Sequence, residues 1–242
     1  MRGAPDCLAA NRTTFKGRVM SNPSHIDTLL AARQVANFAS EQGAHHLASK
    51  RRAAYTHIGA VLADSVLQAG LNYNSVVRPR VQRIISTYPD ADSVVHLITL
   101  VQSERTCELL DWRHPVKQKR FEDVVMFCND NNIDDVDDLR SHLMTDDFCS
   151  EIQNINGVGP KTVDYMACLV GIDTVAVDRH IRNFAATVGV VQTDYAFLKK
   201  AFCFAADLLS ISRRDFDAWI WFRESNLTKP QLQLPFEMTA AL

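Results

Sequence analysis

Two short stretches hold the residues whose types and spacing could do chemistry. The first is Ile155-Asn156-Gly157-Val158-Gly159-Pro160-Lys161-Thr162; the second is Val175-Ala176-Val177-Asp178-Arg179-His180-Ile181. The first reads as a glycine hairpin opening a helix, because glycine accepts φ > 0 and, lacking Cβ, lets backbone approach another molecule. The helix that follows would offer unpaired N–H groups suited to a phosphate. Lys161 falls in its first turn, where the positive end of the dipole makes a lysine without another task unfavourable. Asp178 falls at the start of the next helix, where it is a preferred N-cap residue. A lysine whose pKa is depressed is a nucleophile, and a nearby ionised carboxylate can stabilise developing positive charge or relay a proton. The plainer alternatives are a tight interhelix turn, a lysine that only pairs with phosphate and an aspartate that only caps.

Gly157 to Thr162 taken with Ala176 to Ile181 resembles the helix-hairpin-helix DNA glycosylases of base-excision repair, in the endonuclease III and 8-oxoguanine glycosylase branch that has both lysine and aspartate. The resemblance extends over about 55–224. It implies that Lys161 attacks the sugar C1′ to give a Schiff base and that Asp178 assists. It implies that Asn156, Gly157, Val158 and Gly159 grip a DNA phosphate, with a monovalent cation on the hairpin carbonyls as the one cofactor to consider. It implies double-stranded DNA with a damaged base as the partner of a monomer located with the nucleoid. The turn containing Gln68, Leu71, Asn72 and Tyr73 matches the family loop that enters the duplex, where an amide bonds the orphaned base and Leu71 or Tyr73 is the wedge. The chain departs from the family in three places. The lysine-to-aspartate spacing is slightly shorter, at Gly171-Ile172-Asp173. Only Cys203 follows Asp178, so the four-cysteine iron–sulfur cluster of many relatives cannot form. Asp164 adds a carboxylate one turn from Lys161, to tune it or to balance local charge. Two other functions stay open: a monofunctional glycosylase in which Asp178 activates water, and a non-catalytic module that binds distorted duplex.

The elements that must position these groups read as helices. The 242 residues are 47% apolar, with a net charge of −2 and a pI near 6.4, so bulk electrostatics do not announce nucleic-acid binding. A DNA role must rest on local clusters: Lys50-Arg51-Arg52; Arg78, Arg80 and Arg83; and Arg113-His114 with Lys117, Lys119 and Arg120, the last three being the expected phosphate contacts beside the hairpin. Cysteines at 7, 107, 128, 149, 168 and 203 form no C-x-x-C and read as buried thiols in a reducing compartment. His180 has no partner at ligand spacing, and no metal site is expected. No apolar run reaches membrane-spanning length, and 1–23 lacks the apolar core of a signal peptide.

Apolar periodicity predicts helices over 24–42, 55–69, 76–88, 92–100, 116–129, 139–144, 146–155, 161–171, 178–188, 195–209 and 213–223, with a turn at 70–75 and no strand. Phe216, Trp219, Trp221 and Phe222 read as a core stripe. The fold class is therefore all-α. The resemblance implies two helical lobes with the site between them, one over 53–172 and one formed by 24–52 plus 173–227. Residues 1–23 are expected to be disordered and 228–242 to be an extended tail.

Overall fold

The computed structural model describes residues 24–44 and 53–227. The expectations for 1–23, for Lys50-Arg51-Arg52 and for 228–242 lie outside the described residues. Among the described residues every regular element is helical: α1 (His25–Glu41), α2 (Ile58–Leu67), α3 (Arg78–Thr87), α4 (Val94–Gln102), α5 (Thr106–Leu110), α6 (Pro115–Asp130), α7 (Val136–His142), α8 (Asp146–Glu151), α9 (Pro160–Leu169), α10 (Arg179–Thr187), α11 (Tyr195–Leu208) and α12 (Arg213–Leu227).

Local chemistry explains where these helices start. Ser24 and Asp27 form a reciprocal capping box on α1. Asp135, Asp178 and Asp194 accept first-turn amides of α7, α10 and α11. Proline opens α6 and α9, where its missing N–H has no helical partner to lose. Two elements differ from the sequence reading. The chain leaves the predicted turn through a π-helical segment, Tyr73–Val77, so α3 begins at Arg78 with Pro79 in its first turn. The five-residue α5 was not predicted, because it is too short to show a period.

The apolar residues pack as two large clusters and a small third one of Ala60, Leu67, Val77 and Val81. One large cluster joins α2 to α9 around Ile58, Leu62, Ile84, Leu97, Phe121, Val124, Phe148 and Met166. The other joins α1 to α10, α11 and α12 around Val35, Phe184, Phe202, Phe216 and Ile220. Phe121, Phe184, Phe202 and Phe216 are fully buried, each removal from water giving about 1.5–3 kcal/mol. Along this part of the chain the first cluster ends at Val170 and the second begins at Val175. The core stripe is corrected in part. Trp219 stacks on Phe216 with ring centroids 5.9 Å apart, but Phe222 is 63% exposed and Trp221 turns elsewhere.

No described helix is long and apolar enough to cross a membrane. No disulfide joins the described cysteines; Cys128, Cys168 and Cys203 are buried as expected, whereas Cys107 is exposed.

Candidate active site

Three helices each contribute two residues four apart, a spacing that puts both on one helix face. Asp64 and Gln68 come from the end of α2, Lys161 and Tyr165 from α9, and Asp217 and Trp221 from α12. Lys161 is the point where they meet. Its Nζ donates to Gln68 Oε1 at 2.5 Å and lies 5.7 Å from the centre of the Tyr165 ring. Asp178, Asp217 and Asp64 all act on its charge. Burial still prevails and holds the Lys161 pKa below the ordinary lysine value, while Asp178 and Asp217 oppose that shift.

Asp64 is fully buried and is satisfied by tyrosines. Tyr55 Oη donates to Oδ2 at 2.9 Å, Tyr165 Oη to Oδ1 at 3.0 Å and Tyr73 Oη to Oδ2 at 3.4 Å. A buried carboxylate needs such donors, since leaving them out costs several kcal/mol. Burial and the Asp64 charge push the Tyr55 hydroxyl far up from its usual range, so it stays a donor.

Asp178 caps α10, its Oδ1 accepting from His180 N at 2.7 Å and Ile181 N at 3.1 Å. His180 is buried, with its ring edge-on to Trp221 at 6.1 Å, and Trp221 also meets Tyr73 at 6.0 Å. Burial lowers the His180 pKa. Two buried polar atoms beside this assembly have no protein partner: Gln68 Nε2 and His180 Nδ1.

The hairpin is built largely as read. Gly157 is left-handed at φ 84° and Val158 is buried in the first cluster. Gly159 gives α9 no side-chain cap, and a Cβ there would meet open space. Gly157 differs. Arg120 Nε donates to Asn156 O at 2.8 Å, and a Cβ on Gly157 would lie 1.8 Å from the Arg120 guanidinium. The side of Gly157 expected to meet DNA is covered by arginine. The same guanidinium puts positive charge on one hairpin carbonyl, that of Asn156.

The other candidates are redistributed. Lys117 is no exposed phosphate contact: its Nζ donates to Val66 O, Leu67 O and Ala69 O. Lys119 is exposed and pairs with Asp123. Leu71 and Tyr73 pack inward against Ala60, Leu67, Val77 and Val81 and do not project as wedges. Asn72 is exposed, its Oδ1 accepting Ser75 N at 3.0 Å as the cap of the π-helical segment. Asp164 accepts from Tyr195 Oη at 2.7 Å and from Lys199 Nζ at 2.6 Å, both on α11. Among the described residues no group of three or more His, Cys, Asp and Glu side chains is placed to hold a metal ion.

Asp64, Tyr165 and Asp217 are not singled out by the sequence, and Trp221 reads there only as part of a core stripe. One signal was available. Trp219 and Trp221 are two apart, so on a helix they face nearly opposite ways, and only one of them can join the core.

In comparisons with known proteins, no family model, curated protein or solved structure matches this chain.

Proposed function

We propose that the protein is a base-excision DNA glycosylase with associated lyase activity, acting on a modified base in duplex DNA across two helical lobes. The observation that supports this most is the state of Lys161: half-buried at the head of α9, with a depressed pKa, facing Asp178 and Asp217. An amine must be neutral to attack, and burial favours that form.

The chemistry then runs through this chain's own groups. The base is first taken out of the stack, since its glycosidic bond is out of reach inside the duplex. The neutral Lys161 Nζ forms a bond to C1′, the C1′–N bond breaks, and the base leaves with the electron pair and gains a proton. Loss of a proton from nitrogen and opening of the sugar ring give an imine. Removal of a C2′ proton then expels the 3′ phosphate. The Asp178 carboxylate stabilises the positive charge that develops on the sugar. Gln68 Nε2 and His180 Nδ1, both without protein partners, are suited to polar atoms of the extruded base, because an unmet buried donor costs about 1–3 kcal/mol. The open side of Gly159 and the first-turn amides of α9 suit a phosphate.

Borohydride reduction in the presence of an abasic duplex tests the proposal. The wild type is expected to give a covalent adduct. Lys161→Gln is expected to give none while its duplex Kd stays within about twofold, since one charge among several phosphate contacts is lost. Base release without any adduct would assign the water-activated, monofunctional reaction instead. Binding with neither base release nor adduct would leave a non-catalytic module.

A further inference from the structure

The basic pair at the start of α6 has a geometry that surface charges do not show. Lys117 and Arg120 lie three apart and so on one helix face. An ammonium has three N–H donors, and Lys117 directs them at Val66 O (2.9 Å), Leu67 O (3.1 Å) and Ala69 O (2.9 Å). These carbonyls belong to the end of α2 and the turn after it, where helical partners are lacking and the dipole is negative. Arg120 reaches the other way, to Asn156 O at 2.8 Å, with its guanidinium lying across Gly157. The turn that Lys117 holds begins at Gln68; the hairpin that Arg120 holds leads into Lys161. Gln68 and Lys161 are the two ends of one 2.5 Å hydrogen bond.

We propose that Lys117 and Arg120 are positioning residues, a clamp on α6 that sets the register of Gln68 against Lys161, with Lys117 acting as the ammonium. The consequence for turnover rests on the Schiff-base reading above; the clamp itself does not.

The Lys117 ammonium titrates in an accessible range. Burial first, then the Arg120 and Lys161 charges, push its pKa down to about 8. Arg120 faces it from its own helix and Lys161 from α9, while the end of α2 and the turn after it present the three carbonyls, which favour the ammonium. Above about pH 8 the group loses one donor and its charge, so the turn after α2 loosens. Lys161 is affected in the opposite sense, since losing its proton makes it competent. A rate that rises with Lys161 deprotonation and falls with Lys117 deprotonation gives a bell-shaped profile.

Amide hydrogen exchange on the full chain, corrected for intrinsic rates, tests the clamp without any substrate. Protection over 66–72 is expected to fall about tenfold in wild type between pH 7 and 9, and to stay level in Lys117→Arg. Lys117→Met is expected to lose that protection at both pH values while 155–159 stays protected; Arg120→Met is expected to do the reverse. With abasic duplex, Lys117→Met is expected to slow single-turnover adduct formation about tenfold with Kd within twofold, and Lys117→Arg to recover the rate and lose the alkaline decline. Unchanged protection in Lys117→Met, or equal pH dependence in wild type and Lys117→Arg, would overturn the clamp. Weaker duplex binding at an unchanged rate would also overturn it, in favour of a phosphate contact. If Lys117→Met does not fold, the Lys117→Arg profile decides alone. A wild type that forms no adduct would remove the Schiff-base reading and leave the exchange result to judge the clamp.

Discussion

Lys161 is under two opposing demands. Solvation would favour its charge and help the fold, yet the site withholds water and leaves the ammonium disfavoured despite two facing carboxylates. The sign of the linkage follows. A lysine with a folded pKa below its unfolded value binds fewer protons folded than unfolded, so its penalty is fully present below the folded pKa and is lost as pH rises through the unfolded value near 10.4. Lys161→Met is therefore expected to raise Tm at pH 6–7, by roughly 2–4 °C for each kcal/mol released in a chain of this size. The gain should shrink as pH rises towards 10. Thermal denaturation of both proteins at several pH values reads this directly, and a lower Tm for Lys161→Met at pH 6 would show that the ammonium is a stabilising ion-pair partner. Such a cost borne at one residue fits a site shaped for reactivity rather than stability.

At the scale of the element, what matters is how helices α9 and α10 begin. Asp178 caps α10 through Oδ1, and the proposed chemistry would place a second role on the same carboxylate. The two roles separate by substitution. Asp178→Asn keeps an acceptor and removes the charge; Tm is expected to change little and base release to fall about 100-fold. Asp178→Ala is expected to lose both, with about 1 kcal/mol of stability gone. If Asp178→Asn releases base at the wild-type rate, capping is the whole role. Gly157→Ala belongs to the same scale. It forces a side chain into a left-handed conformation and against the Arg120 guanidinium, so it is expected to lower Tm and to loosen 155–159 in exchange, even without DNA.

The starts of α9 and α10 were legible in the sequence because caps and hairpin glycines are local signals: Gly157, Pro160 and Asp178 sit where the chain order alone puts them. The clamp and the tyrosine cage were not legible. Nothing near Lys117 in the chain shows that the carbonyls of Val66 and Leu67 lie opposite, and a charge among charges reads as surface. Asp64 likewise sits in an apolar helix with its three tyrosine donors drawn from separate segments at 55, 73 and 165. Pairing across elements is a property of packing, not of local order.

At the scale of the molecule, Lys161 belongs to the cluster that α9 helps to build, and Asp178 opens α10 of the other. Their alignment depends on what ties the clusters together. Asp164, one turn after Lys161 on α9, is buried and bonded to Tyr195 Oη and Lys199 Nζ of α11. Asp173, in the link between the clusters, accepts from Ser212 Oγ at 2.8 Å and from Arg214 N at 3.1 Å and fixes that link on the start of α12. The Asp164 tie is the stronger candidate, because removing one partner from a buried charged network leaves the others unsatisfied, at about 3–5 kcal/mol for a fully buried pair. Lys199 is 37% exposed along its side chain, so water offsets part of its loss, whereas Tyr195 is held inside. Tyr195→Phe is therefore expected to destabilise more than Lys199→Met. Asp164→Ala is expected to do most, separating urea unfolding into two steps as each cluster melts alone. The milder Asp164→Asn, which still accepts from Tyr195, is expected to remain folded and, if the proposed function holds, to slow adduct formation about tenfold while duplex Kd holds within twofold, because in that proposal binding uses the hairpin cluster and the chemistry needs both. A single urea transition with the wild-type slope in Asp164→Ala would show instead that apolar contact between the clusters, and not this tie, keeps Lys161 and Asp178 in register.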